Sequence, residues 1–126
     1  MAGTKEDAHL MIDLARLGTQ MVHPEARGWI WSDSFVGDPE EFWQKHPPGS
    51  REFDYVSGMA AWYETVATVW KHGLLDEELL FDWLFVAGPW ERLGPILVSM
   101  RESTPHMWEN FEALAAKQAA HFAAEG

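Results

Sequence analysis

Apolar residues recur every three or four positions along most of this chain, a spacing typical of amphipathic α-helices. The pattern predicts a first helix over residues 5–22, a short second one from Pro24 through Trp31, and a third that starts at Pro39 behind the capping residue Asp38. The alternation of period two that would indicate β-strands is missing from the sequence. The predicted fold class is therefore all-α.

Residues 51–71 carry the widest apolar surface of any predicted helix. Ser50 is placed to cap this helix, and the apolar side chains between Phe53 and Trp70 cover about 200° of its circumference, where a surface helix needs only about 100°. A helix with so wide an apolar surface contacts neighbours on two sides. We therefore predict a single-domain bundle of roughly five to seven helices, packed around residues 51–71 as its long core helix.

The end of the core helix and the start of the next helix are both marked in the sequence. Gly73 can adopt the left-handed conformation that ends many helices, and Asp76 can cap a new helix. From Leu79 to Val86 nearly every side chain is apolar. We expect this second helix to be deeply buried or to form an interface, because it is apolar on all sides.

Proline divides the remaining chain. Gly88-Pro89 is expected to break the apolar helix, and Gly94-Pro95 to weaken or kink the helix that follows. Thr104-Pro105 predicts the start of a last helix, which extends to about Ala124. The chain is thus predicted to be one domain over residues 1–126, with an irregular segment at 23–50 and a helical scaffold at 51–124.

Composition narrows the class of protein. A chain of 126 residues with 47% apolar residues and eight tryptophans can bury a core without metals or disulfides. The lack of cysteine excludes disulfides, thiolate nucleophiles and cysteine zinc sites, and it suits a reducing compartment. The sequence has neither a secretory profile nor a long uncharged apolar run, so we expect a cytoplasmic protein without a membrane span.

The charge of the chain is strongly negative. Twenty acidic against nine basic residues give a net charge of −11, which repels phosphate backbones, so nucleic-acid binding is not expected. The ordinary explanation is that excess acid keeps an aromatic-rich protein in solution. An acidic surface that imitates nucleic acid toward a basic partner is the alternative.

The sequence carries no catalytic or metal-binding signature. Glu6, His9 and Asp13 share one helix face, but carboxylate-bridged metal sites need two Glu-x-x-His pairs and further glutamates. The serines lie within helices or at caps, the glycines are scattered, and Glu64 is interpreted as an exposed helix acid. We therefore predict no catalytic residue, no metal and no cofactor, and we favour a protein that is not an enzyme.

The tryptophans are the more unusual feature, because a chain of this length has limited room to bury eight indoles completely. We expect some of them to reach the surface or a partner. The candidate residues for binding a ligand or partner are Trp29, Trp31, Phe35, Trp43, Trp83 and Trp90. Trp29, Trp31 and Phe35 are the best placed, since they lie in the irregular segment.

An ordered set of short motifs connects the core helix with the last helix. Glu64 is followed by Lys71-His72-Gly73-Leu74-Leu75-Asp76-Glu77, Phe81-Asp82, Trp90, Leu93, Pro95, Trp108-Glu109-Asn110-Phe111 and Leu114. Over roughly residues 55–115 this pattern resembles the uncharacterised bacterial family known as domain of unknown function 4760. The resemblance implies an all-helical fold and a bacterial origin, and it implies no reaction and no catalytic residue. Members often place a membrane helix before this unit, and none is expected here.

Three hypotheses of function follow. The leading one is a non-enzymatic helical protein that acts through protein–protein contacts, with a second copy in a homodimer as one form of the partner. The second is a small-molecule-binding protein or enzyme with an aromatic-lined cavity near Trp29 and Trp31, which requires a cavity of about 300 Å³ or more. The third is an acidic decoy of a nucleic-acid-binding surface, whose binding weakens as salt rises.

Overall fold

The computed structural model describes residues 3–125 and is built from helices. They are α1 (Lys5–Met21), α2 (Ala26–Ile30), α3 (Pro39–Lys45), α4 (Arg51–Lys71), α5 (Glu77–Trp83), α6 (Ala87–Ser99) and α7 (Glu109–Glu125), with a 3₁₀ turn at Met100–Glu102. No strand occurs among these described residues. The predicted all-α class and the number of helices are therefore confirmed.

Helix α4 is the core helix, as predicted, and α1, α2, α6 and α7 all pack against it. Its buried side chains are Tyr55, Val56, Met59, Ala60, Trp62, Tyr63, Val66 and Ala67. Both of its ends follow local signals. The Ser50 hydroxyl accepts a hydrogen bond from the Phe53 N–H at 3.2 Å, and Gly73 takes a left-handed φ of +72° just beyond the last turn.

Helix α1 approaches α4 closely because α4 carries a glycine at the crossing. A Cβ atom at Gly58 would lie 2.5 Å from the Met21 carbonyl oxygen, closer than any side chain tolerates. One turn further along α4, the buried Trp62 indole N–H donates to the Leu14 carbonyl at 2.8 Å. A small residue and a buried hydrogen bond thus fix the packing of these two helices.

The apolar helix is shorter than predicted. Helix α5 ends at Trp83 rather than Val86, and Leu84 takes the extended conformation with φ −129° and ψ 127°. Helix α6 then begins at Ala87, so Pro89 lies in its first turn, where a missing N–H leaves no hydrogen bond unmade. Beyond that turn α6 runs uninterrupted through Pro95 to Ser99. The prediction of one wholly apolar helix over residues 79–86 was therefore wrong.

The last helix begins at Glu109 rather than near Pro105, and Thr104 does not cap it. The residue before this helix, Trp108, has a φ of +67°, which differs from the extended backbone of an ordinary capping residue. The cap comes instead from α4, where Glu64 Oε1 accepts the Phe111 N–H at 2.9 Å. Glu64, interpreted from the sequence as an exposed acid, is thus the capping residue of α7.

Asp7 joins the start of α1 to the start of α5. Its Oδ2 accepts the backbone N–H and the hydroxyl of Thr4, both at 2.8 Å, and its Oδ1 accepts the Asp76 N–H at 3.0 Å. Hydrogen bonds from the Thr4 backbone, the Thr4 hydroxyl and the Asp76 backbone hold the pKa of Asp7 below its ordinary value of 3.8.

We predict that Asp7→Asn lowers the melting temperature at neutral pH by a few degrees and flattens its dependence on acid pH. A carboxylate with a depressed folded pKa stabilises the fold above its unfolded pKa, and this stabilisation is lost as the pH falls through the folded pKa. Thermal unfolding followed by circular dichroism between about pH 3 and pH 7 measures the effect. Asp13→Asn is the control, because Asp13 is an exposed acid of the same helix. Parallel pH profiles for Asp7→Asn and the wild type would contradict the prediction.

Candidate functional site

The six aromatic residues predicted to bind a ligand or partner are distributed over several parts of the molecule. Trp31 and Phe35 line one groove, and Trp29 packs edge-on against Phe35 with ring centroids 5.4 Å apart. Trp43, Trp83 and Trp90 each line a different pocket. The structure therefore brings Trp29, Trp31 and Phe35 together and leaves the other three apart from them.

Trp43, Trp83 and Trp90 are half-buried, and each has a partner in the interior. The Trp43 indole N–H donates to the hydroxyl of Ser99 in α6 at 2.9 Å. Trp83 lies edge-on to a core tryptophan with centroids 6.0 Å apart, and Trp90 lies edge-on to Phe111 at 5.1 Å. Trp43, Trp83 and Trp90 therefore all pack against the hydrophobic core.

A groove of about 620 Å³ opens between the segment after α2 and the first turns of α6. It is lined by Trp31, Phe35, Gly37, Phe85, Gly88, Glu91, Arg92 and Pro95. Trp31 is 51% exposed and Phe85 is 55% exposed, which makes them the most exposed aromatic side chains of the described chain. Two large exposed rings on one groove are typical of a contact site.

Arg92 fixes the wall that carries Trp31. Its Nε donates to the Ile30 carbonyl at 2.9 Å and its Nη2 donates to the Ser32 carbonyl at 3.0 Å. The guanidinium also lies 4.6 Å from the centre of the Phe35 ring and 5.6 Å from that of Trp31. Each such cation–π contact contributes about 0.5–1 kcal/mol at an exposed site. Arg92 is thus a positioning residue that holds the irregular segment against α6.

Phe85 reaches the groove because the chain leaves the helical conformation just before it. The fully buried Gln118 of α7 holds this extended segment: its Oε1 accepts the N–H groups of Val86 at 2.7 Å and Ala87 at 2.9 Å. Its Nε2 donates to the Leu84 carbonyl at 2.8 Å. Successive side chains of an extended segment point to opposite sides, so Leu84 and Val86 are buried and Phe85 is exposed.

Gly88 leaves space for the Phe85 ring. A Cβ atom at position 88 would overlap that ring, so any larger residue would displace it from the groove wall. The two walls of the groove are thus set by different contacts, Arg92 on the side of Trp31 and Gln118 with Gly88 on the side of Phe85. Hydrogen bonds from other elements thus hold the backbone on both walls.

Phe122 of α7 extends the aromatic surface beyond the groove. Its ring centroid lies 6.2 Å from that of Phe85 and 6.5 Å from that of Phe81. A second pocket of about 350 Å³ adjoins it and is lined by Glu77, Glu78, Phe81, Asp82, His121, Phe122 and Glu125. We call the row formed by Trp31, Phe35, Phe85, Phe122 and Phe81 the aromatic band.

Negative charge borders the aromatic band. Glu91 lines the groove at one end, and the pocket at the other end carries Glu77, Glu78, Asp82 and Glu125. Among residues 3–125, Arg92 is the one lysine or arginine that lines either pocket, and backbone carbonyls and rings already engage its guanidinium. The surface therefore combines exposed rings with an excess of carboxylates. Of these, Glu125 lies 3.4 Å from the His121 ring and Glu77 accepts the Trp70 indole N–H at 2.9 Å.

The lining of the groove carries few polar side chains. Its lining contains one carboxylate and one guanidinium, with no histidine, serine or threonine beside them. Within the described range 3–125, no three histidine, aspartate or glutamate side chains come close enough together to hold a metal ion. No helix in that range combines the length and the apolar character that crossing a bilayer requires.

The protein is all-helical and carries a groove with two exposed aromatic side chains on its walls. The sequence profile of the family described as Domain of unknown function (DUF4760) matches residues 26–118, and the chain belongs to this family. The match includes α2 and α3, so it begins earlier than the motifs over roughly residues 55–115 indicated. All residues that line the groove fall within it, whereas Phe122 lies beyond it. Neither a curated protein nor a solved structure matches the chain significantly.

Sequence reasoning did not single out Phe85 and Arg92. Phe85 stood in a run predicted to be helical and either deeply buried or part of an interface, and its exposure depends on Gln118, which is 32 residues from Val86 in the chain. The residues near Phe85 in the sequence do not indicate the contact between Gln118 and Val86. Arg92 did have a signal, because it is the one lysine or arginine between Lys71 and Arg101 in a stretch rich in acid.

Proposed function

We propose that this protein is a non-enzymatic docking protein whose aromatic groove receives apolar side chains of another protein. The exposure of Trp31 and Phe85 on the two walls of one groove carries this proposal. A fully buried phenylalanine contributes about 1.5–3 kcal/mol relative to an exposed one, so a partner that covers both rings gains substantial free energy. A volume of about 620 Å³ accommodates one or two large side chains.

The hydrogen bonds that order the backbone on both walls of the groove support this function. Binding costs free energy when flexible side chains and loops become ordered at an interface. Here Arg92 already orders the segment that carries Trp31, and Gln118 already orders the segment that carries Phe85. Preorganised aromatic residues beside a pocket are typical of the residues that dominate binding energy at protein interfaces.

A second copy of the chain is one form that the partner can take. In a two-fold homodimer the same patch meets itself, so Trp31 and Phe85 of one copy would contact those of the other. Each copy carries a net charge of −11, and such a dimer would therefore tighten as salt rises and screens the repulsion. Sedimentation of the full chain at low and high salt distinguishes this form from docking of a different protein.

Cross-linking in the cell that makes the protein tests the proposal. We predict that a photoreactive phenylalanine analogue at position 31 gives one dominant protein adduct, which mass spectrometry identifies, because the partner lies on the groove. The matched control carries the analogue at Ile12, which is exposed but lies outside the groove lining. Phe85→Ala should reduce the adduct from position 31 by about tenfold, a loss of roughly 1.4 kcal/mol. The same adducts from both positions, or none from position 31, would contradict the proposal.

The volume of the groove also favours a second candidate function, the binding of an apolar small molecule. Pockets for small ligands measure about 300–1,000 Å³ and are lined mainly by apolar and aromatic side chains, as this groove is. Native mass spectrometry of the protein purified from its host tests this candidate. A retained compound that is lost in Trp31→Ala and kept in Ile12→Ala would support it. Release of no compound would exclude a tightly held ligand.

A further inference from the structure

We infer that the occupant of the aromatic band is a basic amphipathic helix of a partner protein. This inference rests on the proposed function, because it names the chemistry of the partner that docks on the same surface. Three observations carry it: the row of rings, the charge around the row and the all-helical architecture that surrounds it.

Three exposed rings, Trp31, Phe85 and Phe122, and the half-buried Phe35 and Phe81 extend over two pockets rather than one. The groove with Trp31 and Phe85 is followed by Phe122 and Phe81, with neighbouring ring centroids 6.2 and 6.5 Å apart. One inserted side chain would cover one end of this row and leave the other end exposed. A helix that presents apolar side chains at spacings of three, four and seven residues can cover several rings in succession.

The architecture favours a helix over an extended peptide. An extended peptide usually gains affinity by adding a strand to an exposed sheet edge, and the described residues 3–125 contain no strand. A helix satisfies its own backbone hydrogen bonds and needs only an apolar groove. At the groove, the aromatic band lies between the segment after α2 and the first turns of α6, and at the second pocket it lies between α5 and α7.

The negative charge around the aromatic band favours binding of a basic partner. Glu91 lies at one end and Glu77, Glu78, Asp82 and Glu125 lie at the other. Arg92 is the one lysine or arginine that lines either pocket, and backbone carbonyls already accept from its guanidinium; at the other end His121 lies 3.4 Å from Glu125, which leaves an excess of carboxylates. Lysine or arginine residues flanking the apolar face of the partner would pair with them, which speeds association and rejects acidic competitors.

The same charges disfavour a second copy as the occupant. A two-fold contact through the aromatic band would bring the carboxylates of one chain toward those of the other. Like charges that face each other across an interface oppose association. The net charge of −11 adds to this repulsion at low salt.

Two designed peptides test the inference on the full chain. Both have about 18 residues and the same apolar face of leucine and phenylalanine, and they differ in carrying lysine or glutamate at every flanking position. Binding is followed by the chemical shift of the Trp31 indole N–H. We expect the lysine peptide to bind at least about tenfold more tightly at low salt, with the difference shrinking as the salt concentration rises.

Matched variants separate the contribution of charge to peptide binding from the contribution of apolar contact. Glu78→Lys together with Glu91→Lys should reduce or reverse the preference for the lysine peptide, because both residues are exposed and line the band. Phe85→Ala should weaken binding of both peptides. Glu6→Lys is the control, since Glu6 is an exposed acid of α1 that lines neither pocket, and it should leave the preference unchanged.

The possible outcomes distinguish this inference from the proposed function. Equal binding of both peptides at Trp31 would overturn the inference that the partner is basic, and it would leave the proposal of docking at the groove intact. If neither peptide changes the chemical shift of the Trp31 indole N–H, the inference that the partner is an amphipathic helix is overturned. The cross-linking experiment tests docking independently of this result. A dimer in sedimentation that Phe85→Ala dissociates would identify a second copy as the occupant and overturn the inference as well.

Discussion

Replacement of Gln118 by alanine should lower the free energy of unfolding by about 3–5 kcal/mol. The side chain is fully buried, accepts two backbone N–H groups and donates to the Leu84 carbonyl. Alanine would leave the N–H groups of Val86 and Ala87 and that carbonyl without partners, at about 1–3 kcal/mol for each buried group. Chemical denaturation followed by circular dichroism measures the loss.

Gln118→Glu is the informative companion variant. Glutamate keeps the shape and the acceptor, but its carboxylate would face the Leu84 carbonyl and lie buried without a cation. Burial would raise the pKa of the introduced carboxyl above its unfolded value of about 4.3. The variant should therefore be least stable at neutral pH and recover stability as the pH falls through that raised pKa, where the protonated oxygen can donate to Leu84.

Lys117→Ala supplies the control for both variants, because Lys117 is exposed and neighbours Gln118 in the same helix. It should change stability by less than about 0.5 kcal/mol. A loss below about 1 kcal/mol in Gln118→Ala would show that the extended segment holds its conformation without the glutamine. The position of Phe85 in the groove would then need a different explanation.

The second large effect is expected at Glu64. Glu64→Ala should cost about 1.5–3 kcal/mol, because it removes both a charged hydrogen bond to the Phe111 N–H and a negative charge at the start of α7. The Asn110 side chain, which donates to Thr68 at 3.1 Å, joins the same pair of helices and limits the loss. Amide exchange at Phe111 should also speed up by at least about tenfold in this variant.

The variant Glu64→Gln separates the contribution of the hydrogen bond to stability from the contribution of the negative charge. The amide oxygen can still accept the Phe111 N–H, so we expect about half of the lost stability to be recovered. Glu78→Gln serves as the control, since Glu78 is exposed in the first turn of α5 and loses a charge without losing such a contact. If Glu64→Ala were no more destabilising than this control, Glu64 would not be the cap of α7.

Helix boundaries were predictable wherever the residue that sets them is close in sequence. Asp38, Ser50 and Asp76 each accept the backbone N–H of the residue three positions ahead, at 3.0, 3.2 and 2.9 Å, and each begins a helix at the predicted place. The second helix was predicted to run from Pro24 through Trp31 and spans Ala26–Ile30, two residues shorter at its start. The two boundaries with the largest errors, the end of α5 and the start of α7, depend on remote groups. Gln118 of α7 sets the end of α5, and Glu64 of α4 sets the start of α7.

The same distinction applies to the candidate site. Trp29, Trp31 and Phe35 lie within one short segment, so their proximity follows from the sequence. The facing wall could not be predicted, because Phe85 is exposed only through a contact with a helix that follows much later in the chain. Counting tryptophans indicated that some must be exposed, but it could not separate Trp31 from the half-buried Trp43, Trp83 and Trp90.

The remote cap of α7 has a consequence for the register of that helix. Phe111 is 47 residues from the carboxylate that caps it, and the helix is rich in alanine, which forms helix from any starting point. The Glu64 carboxylate of α4 therefore marks where this helix begins, and the buried positions of α7 are counted from that point. One residue inserted between Met100 and Glu109 could be absorbed by the turns there. One inserted after Phe111 would rotate Leu114 and Gln118 by about 100° relative to the cap, away from the helices they join.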